Sequence, residues 1–181
     1  MLINNDEVVS STRRWLEKSV IGLNLCPFAE AAYRADRVRF FVSEQRSASG
    51  LLAELRLELI GLHEADPLRC ETALLIHPWT LNDFLEYNDF LDVCDATVGE
   101  LGLEGELQVA SFHPHYQFAG TQSEDIENYT NRSPYPMLHL LREASVERAI
   151  AAVGDTDEIY RRNIRTLRDL GHAGWRRLFL S

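Results

Sequence analysis

Residues 71–78, "ETALLIHP", decide the reading of the fold. A short apolar run stopped by a proline reads as a β-strand. The segments on either side of it read as long helices. Upstream, Leu52, Leu55, Leu59 and Leu62 keep three-and-four spacing behind a cap at Ser47 or Ser49, and Asp66-Pro67 ends the helix. Downstream, Thr80 and Asp83 resemble a capping box opening a helix with Phe84, Tyr87, Leu91, Cys94, Val98 and Leu101 on one face. Gly99, Gly102 and Gly105 break that pattern. The outer neighbours are strands again, "RVRFFVSE" (37–44) and "ELQVASFHP" (106–114). Two consecutive strand–helix–strand units call for right-handed crossovers. The expectation is an α/β fold with a small, mainly parallel sheet of three or more strands flanked by helices. An N-terminal helix from about Asp6 to Val20 precedes it. The C-terminal third reads as helical, with starts at Thr121, at Ser133-Pro134 and at Asp155 and a stop near Gly171. Three strands underdetermine a sheet, so an α+β two-layer sandwich with an antiparallel strand is the alternative.

The chain of 181 residues, 45% hydrophobic and 25% charged, suits a single globular domain over 1–181. No apolar run approaches the ~20 residues that span a bilayer, and the N-terminus lacks a secretory apolar core. A cytoplasmic protein without a membrane partner is expected. Nucleic acid is not an expected partner either, because a net charge of -10 opposes phosphate binding. Three widely spaced cysteines without a CxxC argue against a disulfide framework and a cysteine-built zinc site. Seventeen of the 18 basic residues are arginines. That bias reflects base composition, or arginines that hold carboxylates or phosphates in bidentate pairs.

Two strands end in His-Pro: His77-Pro78, and His113-Pro114-His115. A residue before proline is driven out of the α region, so each histidine stays extended where its strand stops. In a parallel sheet these are carboxyl ends, the edge where open α/β sheets bind ligands. His77, His113 and His115 are therefore candidate ligands for a divalent metal such as zinc or iron. His113 and His115 are also candidates for general acid–base catalysis. Equally, all three could simply satisfy backbone groups at strand ends.

Cys26-Pro27 fits a helix cap followed by proline in the first turn of "PFAEAAYR". A thiol there sees the positive end of the macrodipole, which makes Cys26 a candidate nucleophile; burial would make it inert. In "NYTNRSPYPMLHLLRE" (128–143), Asn131, Arg132 and Ser133 precede the helix expected from Pro134. Free N–H groups and an arginine fork suit a small anionic molecule. Arg161, Arg165 and Arg168 form a stripe on the last helix, facing an acidic patch of the same chain or of a homodimer partner. Trp175, Leu178 and Phe179 are expected to dock the tail.

"VIGLNLCPFA", "SFHPHYQFAG" and "NYTNRSPYPMLHLLREASVERA" resemble the bacterial domain of unknown function family 1415 over almost the whole chain. The resemblance implies a bacterial, cytoplasmic, single-domain protein and no particular reaction. From the residues, the expectation is a small-molecule enzyme acting on an anionic metabolite, with a His/Cys/Arg site at the strand ends. The alternative is a non-catalytic ligand-binding or assembly protein.

Overall fold

A computed structural model describes residues 4–154 and 156–180. Helix α1 (Asn5–Trp15) runs into a π-helical stretch, Leu16–Ile21, and is followed by α2 (Ala29–Arg34). Then come β1 (Val38–Val42), α3 (Ala48–Glu64), β2 (Thr72–Ile76), α4 (Phe84–Glu100) and β3 (Leu107–Phe112). A 3₁₀ turn (Ile126–Thr130), β4 (Met137–Arg142), α5 (Glu143–Val153) and α6 (Thr156–Arg177) complete the order. The helix start expected at Asp155 lies outside the described residues.

The architecture is α/β, but the sheet is mixed rather than mainly parallel. Its order is β1-β2-β4-β3, with β1 parallel to β2 and β4 antiparallel to both of its neighbours. The strand that changes the count is "MLHLLR", which the sequence reading assigned to a helix opening at Pro134. Two features defeat that helix. Tyr135 precedes Pro136 and is pushed towards extended backbone, which interrupts the first turn. The side chains also alternate: Leu138 and Leu140 join one core, Met137 the other. The Ser133 hydroxyl caps nothing and donates to the Tyr135 carbonyl at 2.7 Å.

Two cores lie on opposite faces. On one face α3 and α4 pack Leu51, Leu55, Leu59, Tyr87 and Cys94 against Leu75, Leu138 and Leu140. On the other, α1 and the segment after it pack Val8, Trp15, Leu16 and Val20 against Leu74, Ile76 and Met137. Central β2 is buried along its whole length. Local chemistry sets the helix ends. Ser47 caps α3, and Asp83 caps α4 by accepting from the Leu85 and Glu86 amides at 2.9 and 3.1 Å. Thr80 is not part of that cap; its hydroxyl bonds the Gln45 carbonyl. Arg142 donates to the Leu62 and Ala65 carbonyls where α3 ends.

Candidate functional site

β1, β2 and β3 all run the same way, so His77 and His113 do share one edge of the sheet. They sit on its α4 face, on either side of Tyr87, with ring centroids 5.8 and 5.0 Å from the tyrosine. Both are fully buried. His77 Nδ1–H donates to the Thr80 carbonyl at 2.8 Å. His113 Nε2–H donates to the Leu81 carbonyl at 3.2 Å, and its Nδ1 accepts from the His115 amide at 3.0 Å. That leaves neither nitrogen of His113 free. Leu81 has φ of 57°, a left-handed conformation rare for a bulky residue, and the His113 bond helps hold it there. Burial pushes both imidazoles down to about 4, so both are neutral near pH 7.

These contacts occupy both His113 nitrogens that the metal expectation needs. No three His, Cys, Asp or Glu side chains among the described residues are grouped to hold a metal ion. His113 is spent on two backbone groups, and His115 is exposed, its ring 5.9 Å from that of His113. Tyr87 organises this region instead. Its hydroxyl donates to the Met137 carbonyl at 2.8 Å and accepts from the Phe112 amide at 3.0 Å, joining the paired residues where β3 and β4 meet.

The sheet separates Cys26 from His77 and His113, because Cys26 packs with the α1 core. Its thiol does accept from the amides two and three residues on, the contacts of a capping side chain. α2 begins at Ala29 with Phe28 in the capping position. Burial pushes the thiol up, and hydrogen bonds from the Phe28 and Ala29 amides recover only part of that shift. A thiol–imidazole pair of Cys26 with His113 or His115 is therefore not assembled. The histidine that shares a pocket with Cys26 is His139. The sequence reading had hidden it inside the supposed helix.

The third set forms a cleft on the α1 face. Asn131 is a latch: its side chain donates to the Ser111 carbonyl at 3.0 Å, and its own carbonyl accepts from the His113 amide at 3.1 Å. Arg132 pins the long loop after β3. Its Nε donates to the Tyr116 carbonyl at 3.2 Å, another nitrogen donates to the Ser123 carbonyl, and the guanidinium lies 4.4 Å above the Tyr129 ring. Arg132 and Ser133 line a cleft of about 380 Å³ together with Arg14 and Trp15 of α1 and Trp175 and Phe179 of the tail. Arg14 is exposed and makes no ion pair or hydrogen bond with the described residues.

Two neighbouring elements shape this cleft. Trp15 is 4% exposed; its indole N–H donates to the Arg132 carbonyl at 2.9 Å, and its ring meets Phe112 edge-on at 5.3 Å. Gly171 breaks α6 with φ 61° and ψ 174°, backbone that only glycine adopts readily. The chain beyond it lays Trp175 edge-on against Tyr129 at 5.1 Å and Phe179 against Trp175 at 5.7 Å. Arg168 of the expected stripe pairs with Glu127 and Arg162 with the Asn24 carbonyl, so the acidic partner of Arg168 lies in the same chain.

Arg14 and Trp15 escaped the sequence reading because no spacing rule connects α1 to residue 132. Period-two alternation in "MLHLLR" could have found His139. Comparison with curated proteins and with solved structures finds no match to this chain. No helix among the described residues is long and apolar enough to cross a membrane. Residues 7–177 match the profile of a family described as "protein of unknown function (DUF1415)", and the chain belongs to that family.

Proposed function

We propose that the protein binds a small organic anion in the cleft between α1, the 129–134 loop and the tail, and that this site recognises its ligand without transforming it. The observation that carries the reading is Arg14, an exposed guanidinium without a partner among the described residues, which lines the same cleft as Arg132 and several aromatic rings. Arg14 offers a planar, permanently charged fork suited to carboxylate or phosphate, and Arg132, two of whose nitrogens hold loop carbonyls, adds positive charge beside it. Tyr129, Trp175 and Phe179 supply apolar surface for the body of the ligand. The volume of about 380 Å³ suits a metabolite rather than a macromolecule.

Binding is favoured over catalysis because the lining offers no free general base. Its hydroxyls belong to Ser11, Tyr129 and Ser133, and the Ser133 hydroxyl is already committed. The His77 and His113 rings lie in the α4 core instead. Calorimetry with a panel of carboxylates and phosphate esters tests the proposal. Arg14→Ala is expected to weaken binding about fivefold or more, the loss of one charge-assisted contact. Arg14→Lys should retain only part of it. Equal affinity in the wild-type and Arg14→Ala proteins would remove the cleft as the site.

A further inference from the structure

Behind Trp15 lies a second cavity, between the π-helical stretch, α2 and the sheet. It measures about 40 Å³ and is lined by Trp15, Leu16, Val20, Cys26, Thr72 and His139, among others. Interiors are close-packed and leave few voids larger than a water. This one has room for roughly three water-sized groups. Its roof, Leu16–Ile21, has the widened π-helical geometry that is frequent at functional sites.

The polar atoms of the chamber are few, and their protons can be assigned. The Thr72 hydroxyl donates to the Leu140 carbonyl at 2.6 Å, so towards His139 Nε2, 2.8 Å away, it can only accept. The imidazole proton is therefore on Nε2. Burial holds His139 down at about 4 and pushes the Cys26 thiol up, which leaves both groups neutral at pH 7. An uncharged chamber of this kind suits hydrocarbon. Trp15 walls both this chamber and the arginine cleft, and its one hydrogen bond goes to the carbonyl of Arg132.

We infer that the two cavities form one bipartite site, in which Arg14 holds the head of an aliphatic carboxylate within the positive field of Arg132 and the chamber beyond Trp15 takes the end of its tail. The inference rests on the cleft reading above and names the class of its ligand. Tail length then becomes the specificity variable. Each buried methylene contributes about a fourfold gain in affinity, and the chamber limits that gain to about three carbons.

The test is a titration of the wild-type protein with straight-chain carboxylates from acetate to decanoate. A second measurement on the same protein follows Cys26 alkylation by peptide mapping. Affinity is expected to rise about fourfold per carbon over about three carbons and then level off. Carboxylates that reach the plateau should slow Cys26 alkylation, and acetate should not. Ala32→Leu, which fills the chamber from its wall, should abolish the length dependence and leave acetate binding intact. Affinity independent of length, with Cys26 unprotected, would overturn the tail chamber and leave the anion cleft standing. Protection of Cys26 by long carboxylates that Arg14→Ala does not diminish would overturn the joint site. If no carboxylate binds, the joint site fails; if no phosphate ester binds either, the cleft reading fails with it.

Discussion

The two faces of the sheet carry similar residue types and use them in opposite ways. On the α4 face, His77 and His113 flank Tyr87 with their rings packed and their N–H groups given to loop carbonyls. On the α1 face, Arg14 points into a cleft and His139 borders a chamber. The difference teaches that a motif at a strand end can be structural even at the edge where ligands usually bind. The His-Pro pairs hold the loops that leave β2 and β3. Irregular backbone, by contrast, surrounds the accessible space: a π-helical turn, a broken α6 and a long loop pinned by Arg132.

The largest expected effect tests the closed face. Tyr87→Phe deletes the hydroxyl that satisfies the Phe112 amide and the Met137 carbonyl, and should cost about 2–4 kcal/mol. Urea unfolding measures it. A loss below about 0.5 kcal/mol would mean that the bridge is incidental.

Acidity gives the next effect, on both faces. The folded-state values of His77 and His113 on one face and His139 on the other, all about 4, lie below the ordinary imidazole value near 6.5. Between those limits the unfolded chain binds more protons, so stability is full above about pH 6.5 and falls as pH drops towards 4. The slope should approach about 1.4 kcal/mol per pH unit for each histidine. Unfolding free energies at pH 7.5, 6 and 5 check this. A flat profile over that range would show that the rings are not buried as neutral groups.

Smaller effects are expected on the open face. Arg14→Ala should change unfolding free energy by no more than about 0.5 kcal/mol, because its guanidinium supports nothing. Arg132→Ala, which frees the Tyr116 and Ser123 carbonyls, should cost about 1–2 kcal/mol in the same assay. Equal costs would erase the distinction between a ligand-facing and a loop-holding arginine. Cys26 should titrate above the ordinary thiol value of ~8.5 when its alkylation rate is followed against pH. An apparent value at or below 8.5 would restore the activated-thiol reading.

Much of this fold was legible because its signals are local. Leucine spacing gave α3, the uninterrupted apolar run gave β2, and caps and prolines marked the ends. β4 was not legible in the same way. Ser-Pro and leucines favour a helix locally, whereas the long-range pairing of residues 137–142 with both β2 and β3 makes the strand. That single exchange turned a parallel sheet into a mixed one and removed the helix start on which the anion site had rested. The sequence presents Arg132 as a ligand-facing fork, whereas most of its bonds hold a loop. Arg14 carried no signal, because its importance comes from packing between α1 and a segment more than a hundred residues away.

The central claim is that ligand binding belongs to the α1 face and structural support to the α4 face. An NMR titration with hexanoate tests it most directly, using the indole N–H resonances of Trp15 and Trp175 and the imidazole resonances of His77 and His113. The indole signals are expected to move together and saturably, while the two imidazoles and the Trp79 indole, which lies outside the cleft, stay fixed. Shifts centred on His77 and His113, with Trp15 and Trp175 unmoved, would contradict the account.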